Sequence, residues 1–189
     1  MSVKAAARPQ AEAVAWERFA AAEPDMAKLL RSLLGWIPIA YIATVRGDGS
    51  PRVHPFCPIF AGDGMYIAVN PASPKWRDLA NDGRFAMHAL PGKRDDEFYL
   101  TGRAITVPDG EVREAVVAGA GHTVHPDDHV FELRTQYVMT AHWEKIGKPD
   151  TYPVRREWRM GAPASNADTK RAARRTREAA GSRAIRKGS

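Results

Sequence analysis

The sequence predicts a mainly β fold of the α+β type: a small antiparallel barrel of about six strands with helices at its periphery. Three observations lead there. Stretches of strand composition recur through the middle of the 189-residue chain, bounded by Gly, Pro, Asp or Ser. A helical pattern separates the third of these from the fourth, and few crossovers remain of the kind a parallel sheet needs. The single cysteine, Cys57, cannot close an intrachain disulfide, so the fold must rest on a packed core, which 44% hydrophobic residues can supply.

Each element follows from local pattern. Residues 1–24 form an N-terminal arm or helix; Lys4 and Arg8 are followed by Glu12, Trp16, Glu17 and Arg18, so no secretory signal is expected. Residues 25–36 place Met26, Leu29, Leu30, Leu33 and Leu34 at helical spacing, with Asp25 at the start and Gly35 near the end. Residues 39–46 have strand composition, Gly47-Asp48-Gly49-Ser50 is turn chemistry, and residues 51–60 resume an extended pattern. Gly62-Asp63-Gly64 then turns the chain into residues 65–69, which completes three antiparallel strands. Pro55 and Pro58 remove backbone donors from the middle strand, so it should be irregular or bulged.

Ser73 is available as a cap and Pro74 suits a first helical position. The helix they start carries Trp76, Leu79 and Ala80 on one face and ends near Gly83. Residues 85–90 and 97–107 read as a hairpin across Pro91-Gly92-Lys93-Arg94, residues 111–119 as a helix, and residues 121–128 as a polar loop. Residues 131–143 are the longest strand, with Phe131, Leu133, Tyr137, Met139 and Trp143 on one parity, and residues 152–158 add a last one. The longest apolar stretch, residues 33–44, is interrupted by Gly35 and Pro38, well short of the roughly 18 residues of a spanning helix, so a cytoplasmic protein without a membrane partner is expected.

The formal charge of +6 invites a nucleic-acid reading until the charges are located. Residues 161–189 hold Lys170, Arg171, Arg174, Arg175, Arg177, Arg183, Arg186 and Lys187 against Asp168 and Glu178, which accounts for the whole of it. Residues 25–160 are therefore read as the folded domain and residues 161–189 as a basic, disordered tail, whose only large apolar residue is Ile185. Contact with nucleic acid is confined to that tail, the alternative being a solubilising arm with no specific partner.

Several signatures are missing: there is no Gly-x-Ser-x-Gly elbow, His-Glu-x-x-His or Walker loop. The run Gly119-Ala120-Gly121-His122-Thr123-Val124 lacks the third glycine of a dinucleotide fingerprint and follows a helix. Two segments carry chemistry instead. Period two puts Arg52, His54 and Phe56 on one face of a strand, an arrangement that suits a planar anionic ligand or an edge strand facing water. Ser73-Pro74-Lys75-Trp76-Arg77 offers a hydroxyl and a lysine at a helix start, either ordinary capping or an anion site. His122, His125 and His129 with Asp127 and Asp128 have a metal-like composition, but Pro126 interrupts the turn that would pair imidazoles, so a solvated loop and no metal are expected.

The order IAYIATVRGDGSPRVHPFCPIF, MYIAVNPASPKWRDLANDGRFAMHA and DEFYLTGRAITV resembles the FMN-binding split-barrel proteins related to pyridoxamine 5′-phosphate oxidase, over about residues 26–145. The resemblance implies a six-stranded antiparallel split barrel, a homodimer, and a flavin mononucleotide near the subunit interface. It matches Arg52, Val53, His54 and Pro55 to the strand that meets the flavin, and Ser73, Lys75 and Trp76 to the phosphate-binding turn. The strand after Arg52 reads VHPFCP without the usual lysine, and the C-terminus lacks a substrate-phosphate arginine and histidine motif, which argues against vitamin B6 oxidation. A flavin-dependent oxidoreductase acting on an unidentified small molecule is expected. Related split barrels hold a deazaflavin coenzyme (F-420) or haem, so a deazaflavin reductase and a non-catalytic flavin- or haem-binding protein are the alternatives. The resemblance names no catalytic residue; hydride transfer would belong to the cofactor.

Overall fold

The computed structural model describes residues 12–162. The expectation for the first eleven residues of the N-terminal arm, and that for the basic tail from residue 163 onward, lie outside the described residues. Four helices, α1 (Trp16–Ala22), α2 (Pro24–Trp36), α3 (Lys75–Asn81) and α4 (Glu111–Gly119), surround a sheet of β1 (Ala40–Val45), β2 (Pro51–Phe56), β3 (Ile59–Ala61), β4 (Gly64–Val69), β5 (Arg84–Ala89), β6 (Glu97–Thr106), β7 (His129–Glu144) and β8 (Tyr152–Arg159). Every pairing is antiparallel.

The strand order is β2-β1-β5-β6-β7-β4-β3, with β8 added to β7. β2 and β3 thus occupy opposite ends of this path, yet only Cys57 and Pro58 separate them in the chain. Three peptide steps span at most about 11 Å, so the sheet has to curl until its two edges nearly meet. No ladder joins those edges among the described residues, and the barrel remains split. The irregularity expected in residues 51–60 is this break: instead of one strand with a bulge there are two strands at opposite edges, and the sheet has eight strands rather than six. Pro58 lacks the N–H that a continuing ladder would need. For the same reason the third expected strand, β4, does not extend a β1–β2 meander; it pairs with β7, Tyr66 opposite Glu132.

β7 is long enough to serve two partners on one side. Residues His129 to Glu132 pair with β4, and residues Tyr137 to Glu144 pair with β8. Between them lies a bulge: opposite β6, the register jumps from Tyr137 to Thr135 between Thr101 and Gly102. The extra residue, Gln136, reverses the parity of the strand. Leu133 and Thr135 are buried before it, Val138 and Thr140 after it, so Tyr137 and Met139 do not share the core face with Phe131 and Leu133 as expected.

The core centres on Trp16, Phe19, Leu30, Met65, Phe98 and Phe131. α1 belongs to it, since Trp16 packs edge-on to Phe60 at 5.4 Å and Phe19 to Trp158 at 5.1 Å. α2 buries the stripe Met26, Ala27, Leu30 and Leu33, close to the face its spacing predicted. On the opposite, outward face the registers align Pro55, Tyr41, His88, Tyr99, Met139 and Glu157 in one row across β2, β1, β5, β6, β7 and β8.

Candidate functional site

The site is built where α3 crosses the end of β1 and β2. The β1–β2 turn is closed by Asp48, whose carboxylate accepts hydrogen bonds from the Ser50 N–H and hydroxyl, and by Gly49 at φ 84°, which a glycine adopts without strain. The register this turn fixes sets Thr44 opposite Arg52 and Ile42 opposite His54. β2 alternates as its sequence predicts: Arg52 and His54 are half-buried, Phe56 is buried, and Val53 and Pro55 are exposed on the other face. A ligand that touches the Arg52 and His54 side chains therefore meets Val53 and Pro55 only through their backbone. That contact is available, because among the described residues β2 pairs on one side only.

α3 lies over β1 and β6. It has seven residues, Pro74 stands at its cap position, and no side chain caps it. The Ser73 carbonyl accepts the Trp76 N–H at 3.4 Å, while Ser73 makes no capping bond of the kind its position had promised. A helix this short has little macrodipole, so an anion site here must stand on side-chain charge. Lys75 supplies it. The ammonium is half-buried and forms no ion pair with a carboxylate among the described residues; burial pushes its pKa below the ordinary lysine value, with the nearby Cys57 opposing. Trp76 is placed differently: its indole N–H donates to the Pro71 carbonyl at 2.8 Å, and its ring stacks on His129 at 4.4 Å.

A further residue of α3, which no sequence motif marks, joins the site. Asp78 is 7% exposed, and its Oδ2 accepts two hydrogen bonds of 2.8 Å, from Thr44 Oγ1 and from Arg52 Nε. The signal available in sequence was helical spacing, since Asp78 falls three residues after Lys75 and beside the buried Leu79, where a lone carboxylate needs a partner. His54 relates the two segments, since Lys75, Arg52 and Asp78 all act on its charge. Burial first, then Lys75 and Arg52, lower the pKa of His54 below its ordinary 6.5, against an opposing pull from Asp78. His54 is therefore mostly neutral at pH 7, and the cations that act on it, Lys75, Arg52 and Arg46, outnumber the one carboxylate, Asp78.

The histidine-rich loop does different work. Arg113 of α4 donates to the carbonyls of His125, Pro126 and Asp128, and Asp128 Oδ2 accepts the His125 N–H at 2.9 Å. Among the described residues no three His, Cys, Asp or Glu side chains are grouped to hold a metal ion, and no helix is long and apolar enough to cross a membrane.

Comparison with known proteins adds a family and a fold. The family model for pyridoxamine 5′-phosphate oxidase matches residues 26–142. No curated protein matches the chain in sequence. Among solved structures, a heme binding protein from Mycobacterium smegmatis superposes with a TM-score of 0.52 at 20% identity, over 70% of this chain and 58% of that one. The chain thus spans little more than half of that protein's length. A NimC/NimA family protein from Clostridium acetobutylicum gives 0.51 at 20% identity, over 69% of this chain and 93% of its own. A pyridoxamine 5′-phosphate oxidase-related, FMN binding protein from Nostoc punctiforme gives 0.54 at 8% identity, over 73% and 98%. At such identities the likeness is one of fold: mostly antiparallel sheet, a few helices, and a barrel that does not close.

Proposed function

The chain belongs to the pyridoxamine 5′-phosphate oxidase family, and from that premise we propose that it binds flavin mononucleotide and works as an oxidoreductase on a small molecule. The observations that carry this reading are a half-buried Lys75 without a carboxylate partner and an Arg52 whose outer nitrogens have none, both among the described residues and both acting on the charge of His54. Burying a cation without a counter-charge costs solvation that a bound anion returns. The residues present fit a phosphomonoester: Lys75 as a point charge, Arg52 as a two-pronged donor, and neutral His54 as a further hydrogen-bonding group. The open edge of β2 then offers backbone groups to the polar rim of a flat heterocycle. A bound flavin would supply hydride transfer; the chain's own part is to hold the phosphate, orient the ring along β2 and exclude water.

A homodimer belongs to the same reading. The outward row from Pro55 to Glu157 includes Tyr41, which is 45% exposed, with His88, Tyr99 and Met139, and neighbouring Val53 is 61% exposed. A second copy would cover such a surface.

Haem is the second reading, favoured by one observation. His88 Nδ1 lies 2.5 Å from the Ala89 carbonyl, which can only accept, so Nδ1 is the donor there, and Nε2 is the nitrogen that a metal would use.

The deciding experiment titrates the purified protein with FMN and with hemin, following flavin fluorescence and the visible spectrum. FMN should bind, and Arg52→Ala or Lys75→Ala should each weaken it by about 1.5 to 3 kcal/mol, the range for a charge-assisted hydrogen bond. Binding of hemin but not of FMN, with loss of the spectrum in His88→Ala, would replace the first reading by the second.

A further inference from the structure

We infer that Asp78 is a positioning residue: it aims Arg52 at the ligand and so sets the preference for a phosphorylated over an unphosphorylated flavin. The inference rests on the phosphate reading above. A guanidinium presents five N–H donors along distinct edges, and a carboxylate can occupy any of them. Asp78 takes Nε alone, at 2.8 Å, and Arg52 makes no other hydrogen bond among the described residues. The paired outer nitrogens, the edge that matches two phosphate oxygens, stay free.

The carboxylate is itself held. Thr44 Oγ1 donates to the same Oδ2 at 2.8 Å, and Thr44 is 1% exposed on β1, directly opposite Arg52 in the ladder. Strand, neighbouring strand and helix thus meet at one oxygen atom. An arginine 22% exposed would otherwise sample many rotamers and lose that freedom on binding; here it is ordered beforehand.

Charge and position make opposite forecasts for this residue, which gives the test its edge. Removing Asp78 raises the local charge by one unit, and if charge alone governed the site every anion would bind more tightly. If Asp78 positions Arg52, its removal weakens the phosphorylated ligand in spite of the added charge. Asp78→Ala, Asp78→Asn and Thr44→Val are titrated in the full-length protein with FMN and with riboflavin, which share the ring and differ in the phosphate.

The expected result is a rise of about tenfold in the FMN Kd for Asp78→Ala with riboflavin unchanged within about twofold, the loss of one oriented charge-assisted contact. Asp78→Asn, which keeps an acceptor oxygen, recovers part of the difference. Thr44→Val, which alters no charge, costs about threefold for FMN only, as for a neutral hydrogen bond. Tighter FMN binding by Asp78→Ala, or equal weakening of both flavins, overturns the proposal. Should Asp78→Ala fail to fold, Thr44→Val decides, and an undiminished preference for FMN in that variant overturns it equally. A wild-type protein with no preference for FMN over riboflavin removes the phosphate reading itself, and this proposal with it.

Discussion

His54 stands between two cations and pays for it in proton affinity. Because burial, Lys75 and Arg52 hold its folded-state pKa below 6.5, the unfolded chain binds the proton more readily than the folded one. The sign follows: the contribution of His54 to stability is fully present above pH 6.5 and is lost as the pH falls from there through the lowered folded value. Urea titrations across this acid range should show a wild-type slope that His54→Gln flattens; an equal slope in both proteins would place the acid sensitivity on another group. Much of this cluster could be read beforehand. Period-two alternation placed Arg52 with His54, and the helix start placed Lys75. Asp78 was hidden because its role depends on α3 crossing to Thr44, a contact between segments 34 residues apart that no local pattern encodes. Trp76 belongs to the same helix start, and its stacking partner, His129, lies on β7, beyond two intervening strands in the sequence, where no local pattern points.

Among the elements, β6 and β7 carry the feature that sequence periodicity could not anticipate. Turn chemistry located their ends, and the apolar run located β7, but an extra residue in mid-strand leaves composition unchanged while it exchanges the two faces. Gly102 is the counterpart of the Gln136 bulge. A methyl group there would run into the Arg134 carbonyl oxygen, a backbone atom that cannot step aside without breaking the ladder. Gly64 is crowded less closely, and by the ring end of Tyr66, a side chain rather than backbone. Gly102→Ala should therefore cost about 3 kcal/mol or more, at the upper end for overpacking, and Gly64→Ala distinctly less. Denaturant midpoints for the two variants settle the ordering, and equal losses would mean that the bulge is softer than its geometry implies. The break at Cys57 and Pro58 was half legible: the prolines announced an interruption, but whether the chain resumes beside β2 or at the far edge is decided by tertiary pairing alone.

For the whole molecule, residues 161–189 carry the net charge of +6, and the proposed domain boundary leaves them outside the cofactor-binding unit. β8 ends at Arg159, and Met160 packs on the core with its N–H on the Gln136 carbonyl. Truncation after Met160 should leave the melting temperature and FMN affinity unchanged, whereas a cut before Tyr152 removes a strand and should destabilise the domain; calorimetry and flavin titration of both test this. Light scattering should report a mass of about twice the 20.8 kDa chain if the outward row is covered by a second copy. The two-residue link between the opposite edges of the sheet has a further bearing, on how the molecule is made. β5, β6, β7 and β8 follow one another as neighbours, but β4 finds β7 across about sixty residues, so loop-closure entropy must be met before the last contacts reward it. β2 and β3 can both be seated only after the intervening strands have curled, and the link then acts as a clasp fastened late. Substitutions along β2 or at Pro58 should accelerate unfolding and barely slow folding in a chevron plot, while those in the β5–β6 hairpin should do the reverse. On that timetable the nook between β2 and α3 is assembled in the final step and is the first to come undone, which gives a ligand seated there hold over the lifetime of the folded barrel.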